Sequence, residues 1–261
     1  MSVERGIVFA EKEGYRFLEL DVYRPDGAGD DPLPVIHQIH GGGWCRSHRG
    51  RAPREVREWS PSFFESMAAA GFVVVASSYR FSEEARYPAA VEDVLDAADW
   101  ITQHVHEYGG DPGRQVVFGQ SAGGYLAAAV GLARPDVRGV ICWDPLTDPA
   151  ALDDDDPAAD FPARWLGGPI STLPDVAADA SLPARAHADA PPFLIQHGTA
   201  DTMAPFDQGR RLHDALGAAG AASSLDAIEG ADHFFDGAGD ERVRAIFDRA
   251  MTFARTVALG V

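Results

Sequence analysis

Apolar and polar residues alternate over Arg16–Tyr23, the period-two pattern of a half-buried strand. Leu33–Ile39 is a short apolar run with β-branched residues that ends in Gly41-Gly42-Gly43. Phe63–Ala70 has helical spacing and stops at Gly71. The run Phe72–Ala76 then reads as a strand buried on both faces, the type found inside parallel sheets. Tyr87–Tyr108 predicts a long helix, because Val91, Val94, Leu95, Ala98, Ile101 and Val105 recur every three to four positions. Val116–Phe118, Gly139–Trp143 and Phe193–Gln196 are further short buried strands, and Ala122–Ala133 is an Ala-rich helix that ends before Pro135. Phe206–Ala218, Ser223–Glu229 and Glu241–Val257 predict helix, strand, helix, with Val243, Ile246, Phe247, Ala250, Phe253 and Val257 as the core stripe of the last.

Strands alternating with helices of this length predict an α/β fold, a mostly parallel sheet of eight strands at most with helices on both faces. The first strands have no helix between them, so that edge is expected to be antiparallel. The whole chain, 1–261, reads as a single domain. One stretch breaks the rhythm: 145–190 carries nine Asp, no Glu, several Pro and no long periodic segment. It is expected to be a solvated excursion or a small lid-like insertion over a site, with Phe161, Trp165 and Leu166 as candidate apolar contacts.

Charge narrows the partners. Lys and Arg number 22 against 40 Asp and Glu, a formal charge of −18. Nucleic acid and anionic membrane surfaces require clustered cations, so neither is expected as a partner. The two cysteines, Cys45 and Cys142, build no disulfide framework and no CxxC site. The start lacks a basic segment followed by an apolar run, and no stretch reaches 18 apolar residues. The expectation is a cytoplasmic protein, monomer or homodimer, with neither metal nor organic cofactor.

Gly119-Gln120-Ser121-Ala122-Gly123 fits G-x-S-x-G, between a predicted strand and a predicted helix. A nucleophile on such a turn needs Gly on both sides, because the backbone there is sharply bent and close-packed. A serine hydroxyl needs a base. Of nine histidines, His104 and His106 are two apart on a helix and share no face, and His213 lies inside a helix. His233 follows the last predicted strand, where α/β folds place catalytic groups. The acid belongs between Ser121 and His233, after a strand. Asp201 in His197-Gly198-Thr199-Ala200-Asp201 is the first candidate, and Asp144, directly after Gly139–Trp143, competes with it. His40-Gly41-Gly42-Gly43-Trp44 follows a strand as well. Its glycines let backbone N–H groups converge, so Gly42 and Gly43, with Ala122, are candidate oxyanion donors, Trp44 replacing Gly43 as the alternative.

These pieces, together with Ser78-Tyr79-Arg80, Tyr87-Pro88-Ala89 and Asp111-Pro112-Gly113-Arg114, resemble the α/β-hydrolase superfamily. The likeness is to its esterase/lipase group of hormone-sensitive-lipase-like and feruloyl-esterase-like carboxylesterases, and runs from about residue 16 to 257. The resemblance implies an α/β-hydrolase fold, a triad of Ser121, Asp201 and His233, and an oxyanion hole of Gly42, Gly43 and Ala122. It implies a serine carboxylesterase acting on a small-molecule, short-acyl ester. An amidase or formamidase, or a biosynthetic acyltransferase or cyclase, uses the same triad, and a ligand-binding scaffold keeps the fold without the chemistry. Long N-terminal cap helices are absent, Met203-Ala204-Pro205 stands where Val-Pro is usual, and Gln120 where His, Asp or Glu is commoner. Trp44, Gln120, Trp165 and Met203 are candidate substrate contacts.

Five arginines, Arg46, Arg49, Arg51, Arg54 and Arg57, fall within twelve residues, starting two residues after the oxyanion loop. They read either as a surface loop and helix paired with Glu55 and Glu58, or as a guanidinium patch at the pocket mouth that favours anionic substrates.

Overall fold

Alternation along each buried strand sets the layers. The computed structural model describes residues 1–26 and 31–260. Its strands are β1 (Ser2–Ala10), β2 (Leu18–Arg24), β3 (Leu33–Ile39), β4 (Val73–Ser77), β5 (Gly110–Gln120), β6 (Gly139–Trp143), β7 (Phe193–Gly198) and β8 (Ser223–Ile228). They form one sheet in the order β1-β2-β4-β3-β5-β6-β7-β8. β1 is antiparallel to β2 and β2 to β4, while all later pairs are parallel. This is the mostly parallel, eight-stranded α/β-hydrolase arrangement, with the antiparallel edge where no helix intervenes.

The helices are α1 (Phe63–Ala69), α2 (Ala89–His104), α3 (Ala122–Ala133), α4 (Asp160–Leu166), α5 (Pro174–Asp179), α6 (Phe206–Ala219) and α7 (Asp240–Leu259). Ile36, Val116, Phe118, Ile141, Trp143 and Leu194 point to one face of the sheet, against Phe63 and Met67 of α1 and Val243, Phe247 and Met251 of α7. The alternate positions Ile39, Val117, Val140, Cys142, Phe193 and Ile195 point to the other face. There they meet Val94 and Ala98 of α2, Leu126 and Val130 of α3, and Leu212 and Leu216 of α6. Period two in the strands and period 3.6 in the helices thus meet in two apolar layers.

β1 has no counterpart among the strands expected from the hydrophobic pattern. It is a largely exposed edge strand, and its register with β2 shifts between Glu4 and Ile7, around Gly6 at φ 71°. A bulged, solvated edge has no strict alternation to read.

The acidic stretch 145–190 folds into α4, α5 and several 3-10 turns. Asp153, Asp154 and Asp155 are exposed, but Leu152, Trp165, Leu166, Ile170 and Leu182 are buried. Hydrogen bonds tie it down: Tyr125 Oη donates to Ala180 O at 2.7 Å, and Thr147 Oγ1 to Gln208 O at 2.6 Å. The segment is therefore packed onto α3 and α6, not a solvated excursion. Among the described residues, no helix is long and apolar enough to cross a membrane.

Candidate active site

The parallel strands end on one side of the sheet, and the loops leaving β3, β5, β6, β7 and β8 carry His40–Trp44, Ser121, Asp144, Asp201 and His233. Ser121 sits between β5 and α3 at φ 55°, ψ −126°, a conformation that L-residues rarely adopt. The turn that forces it is made by glycines. A Cβ on Gly119 would lie 1.9 Å from Gly123 O, and one on Gly123 would lie 2.2 Å from Ile39 O. Strand, turn and helix therefore pack backbone to backbone, and Ser121 is lifted out at the N-terminus of α3. There the helix dipole favours developing negative charge.

Ser121 Oγ lies 3.0 Å from His233 Nε2, and His233 Nδ1 lies 2.7 Å from Asp201 Oδ2. Asp201 Oδ1 accepts from the N–H groups of Met203 and Ala204, both at 2.8 Å. These bonds fix the imidazole with Nδ1–H toward the carboxylate and Nε2 as the acceptor facing Ser121. Burial alone raises the Asp201 pKa, but bonds from His197, His233 and Ala204 hold the carboxyl well below the usual range. Burial lowers the His233 pKa. The bond to Asp201 and the charges of Asp144, Asp201 and Asp232 outweigh it, so the net direction is upward. Buried His197 lies 3.4 Å from Asp201 Oδ2 and donates Nε2–H to Ala204 O at 2.8 Å, bracing the Asp201 loop.

Asp144 does not bond His233. Its two oxygens accept the N–H groups of Gly198 (2.9 Å) and Phe234 (2.8 Å), so it links the β7 and β8 loops. Its burial pushes its pKa up. Asp144, Asp201 and His233 are the one group of His, Cys, Asp or Glu found close enough to share a cation among the described residues, with ligand atoms within 4.8 Å. Their carboxylate oxygens already accept N–H donors, which does not suit a metal.

The His40–Trp44 loop lies against the Ser121 turn: a Cβ on Gly41 would meet Gln120 O at 2.7 Å. Buried His40 has its pKa pushed down to about 4 by burial, so the ring is neutral. Its Nδ1–H donates to Gly41 O at 2.7 Å, and Tyr79 Oη donates to His40 O at 3.0 Å. Gly42 at φ 118°, Gly43 at φ 60° and Trp44 at φ 55° turn the chain, and Gly42 O receives the N–H groups of Cys45 and Arg46. The amides of Gly42 and Gly43 donate to no acceptor among the described residues.

These groups border a cavity of about 310 Å³. Gly42, Gly43, Trp44, Gln120, Ser121, Ala122, Met203 and His233 line it. Trp165 does not. Fully buried, it stacks on Trp44 at 4.3 Å with rings nearly parallel, and meets Tyr87 and Tyr125 edge-on, each at 5.0 Å. Its place is behind the lining, where it supports Trp44. Leu166, one residue on, is likewise buried outside the lining. Phe161, one turn earlier on α4, lines the cavity and packs so closely on Gly43 that a Cβ there would meet its ring at 2.4 Å. Leu146, Ala204 and Phe234 also line it. Sequence offered no sign of Leu146. Phe234 and Ala204 neighbour recognised site residues, which was a usable signal.

Of the five arginines, Arg46, Arg51, Arg54 and Arg57 line the cavity. Arg49 is buried away from it, bonded to Asp21 (2.8 Å) and Glu19 (3.0 Å). Cys45 and Cys142 are both free thiols.

Comparison with known proteins points the same way. The family model BD-FAE matches residues 20–216. Esterase LipQ of Mycobacterium tuberculosis is 28% identical over 260 residues, 90% of this chain and 58% of LipQ. Esterase LipI of the same organism is 31% identical over 216 residues, 76% of this chain and 65% of LipI. This chain thus spans little more than half the length of the LipQ it matches. Esterase 2 of the planctomycete Thermogutta terrifontis superposes with TM-score 0.76 at 27% identity, covering 98% of this chain and 92% of that one. That esterase has also been solved phosphorylated by paraoxon.

Proposed function

The chain belongs to the BD-FAE family, in the esterase/lipase group of the α/β-hydrolases, and from that premise we propose that it is a serine carboxylesterase acting on small, short-acyl esters. The observation that carries the reading is the unbroken relay Ser121–His233–Asp201, at 3.0 and 2.7 Å, opening into a cavity rimmed by unspent backbone N–H groups. Ser121 Oγ bonds to the acyl carbon while its proton passes to His233 Nε2. The carbonyl oxygen gains the negative charge and is received by N–H groups of Gly42, Gly43 and Ala122. The ester C–O bond then breaks, and His233 gives its proton to the departing alcohol. Water, deprotonated by His233, releases the acid and restores Ser121. Asp201 keeps the imidazole in its working tautomer and stabilises the imidazolium. Asp144 acts through the backbone, holding the His233 loop against the Asp201 loop.

The cavity is at the small end for ligand pockets, and Leu146, Phe161 and Met203 give it an apolar wall. The segment 145–190 is its lid-like insertion, closing the cavity with Phe161 from α4 and buttressing it with Trp165. Hydrolysis of p-nitrophenyl esters from acetate to decanoate tests this. The kcat/KM is expected to peak at acetate to butyrate, while each added CH₂ still gains its ~0.8 kcal/mol of burial, and to fall at least about tenfold by decanoate, whose chain has to displace the cavity wall to enter. A maximum at octanoate or longer contradicts the short-acyl assignment.

His233 must be neutral to accept the Ser121 proton. Its raised pKa therefore places the rise of kcat/KM with pH at a midpoint above the ordinary 6.5. Asp201→Asn removes the partner that raises it, so the midpoint is expected to move to lower pH. The rate plateau falls on the order of 10³- to 10⁴-fold as the tautomer is lost. A midpoint that stays put, with a plateau within tenfold of wild type, removes Asp201 from the relay.

A further inference from the structure

The rim of the proposed catalytic cavity carries four guanidinium groups, Arg46, Arg51, Arg54 and Arg57, and its lining residues include no carboxylate. In a chain of formal charge −18 this inverts the surrounding sign. Most arginines elsewhere are paired: Arg49 with Asp21, Arg80 with Asp93, Arg134 with Asp136, Arg210 with Asp214. On the rim, among the described residues, only Arg54 has acidic partners, Glu55 at 3.8 Å and Asp236 at 3.5 Å. Arg46, Arg51 and Arg57 are exposed and make no ion pair among the described residues. Arg46 lies over the Phe161 ring at 5.2 Å, which holds a cation at the cavity wall. Glu55, half-buried with one oxygen unpartnered, has its pKa raised by burial and faces Arg54.

The backbone ties this rim to the chemistry. Gly42 O receives the N–H groups of both Cys45 and Arg46, and a Cβ on Gly42 would sit 2.1 Å from Arg46 O. The turn that presents the oxyanion amides is the turn that starts the arginine loop. The net negative charge of the chain repels an anion at long range, while at this concave mouth the unpaired guanidinium forks attract it and fit a carboxylate bidentately.

We propose that this rim selects esters bearing a carboxylate away from the scissile bond, an inference that rests on the serine-esterase reading above. It assigns Arg46, Arg51 and Arg57 as specificity-determining residues.

The test uses two matched pairs on the full chain. One is p-nitrophenyl hydrogen succinate and its methyl ester, with the charge on the acyl side. The other is 4-acetoxybenzoate and its methyl ester, with the charge on the leaving group. In at least one pair the anionic member is expected to have a kcat/KM at least about tenfold higher, carried by a lower KM. The pair that shows it tells which side of the ester faces the rim. Arg46→Gln and the double variant Arg51→Gln/Arg57→Gln are expected to reduce that preference at least about fivefold, and raising NaCl from 50 to 500 mM to erode it by screening. A preference of unity or below in both pairs, or one that the variants leave unchanged, overturns the inference. Binding to Ser121→Ala by calorimetry separates this from a failure of the chemistry. If no ester is turned over but the anionic member still binds about tenfold tighter, with loss in the arginine variants, the rim inference stands and the esterase reading falls. Equal binding of both members of each pair overturns the rim inference whatever the chemistry.

Discussion

Ser121→Ala is expected to lower kcat/KM for a short p-nitrophenyl ester by roughly 10⁴- to 10⁶-fold. The removed oxygen is the atom that His233 Nε2 faces at 3.0 Å, and among the described residues no other hydroxyl side chain is bonded to that nitrogen. The loss is expected in kcat, with substrate binding kept, because cavity walls and rim are untouched. It is also expected without loss of stability: among the described residues the Ser121 side chain makes no bond other than that to His233, and its backbone bonds, N–H to Trp143 O and O to Tyr125 N–H, do not depend on the hydroxyl. Ester turnover by Ser121→Ala within tenfold of wild type places the nucleophile elsewhere.

The largest effect on stability is expected from the glycines that bend the chain beneath Ser121. In Gly119→Ala the new methyl is driven to 1.9 Å from Gly123 O, and in Gly123→Ala to 2.2 Å from Ile39 O. Both obstacles are backbone, so neither yields by a rotamer change. They also join β3, β5 and α3, so relief in one element displaces the next. Each substitution is expected to cost more than about 4 kcal/mol, the range reserved for a defined structural insult. The readout is the urea midpoint, or loss of soluble folded protein. Gly217→Ala is the control. It lies in α6 with nothing within 4 Å of the added Cβ, and is expected to stabilise by about 0.5–1 kcal/mol. A urea midpoint for Gly119→Ala equal to wild type contradicts the packed-turn account.

The legible parts of this protein were those whose physics is local. Buried parallel strands announce themselves as apolar runs, and α3 spans Ala122–Ala133 because alanine repeats end at an extended Arg134 before Pro135. Loops that follow such strands are ordered by the sheet, so groups as far apart in sequence as Ser121 and His233 were readable as neighbours from topology. Parts decided by tertiary packing were not. Trp165 and Phe161 lie four residues apart on α4. Which one meets the cavity depends on how a short helix docks, and Trp44 and Tyr125 draw Trp165 inward. Asp144 and Asp201 both follow strands. They differ in what faces them, backbone N–H groups for the first and an imidazole for the second. Arg49 left the arginine cluster because Asp21 and Glu19 come from β2, a partner that the spacing of arginines does not reveal. The segment 145–190 left a solvated excursion open beside a lid-like insertion because its nine Asp mask the scattered residues that bury it.

The most direct measurement of the central claim is peptide mapping by mass spectrometry after brief exposure of the protein to a fluorophosphonate. The phosphorus takes the place of the acyl carbon, fluoride leaves, and the adduct stays on the attacking oxygen. One adduct on the peptide that carries Ser121 is predicted for the wild type, and none within the same exposure for His233→Ala. Folded wild-type protein that takes no adduct, or takes it equally in His233→Ala, would contradict the assignment of Ser121 as a nucleophile activated by His233.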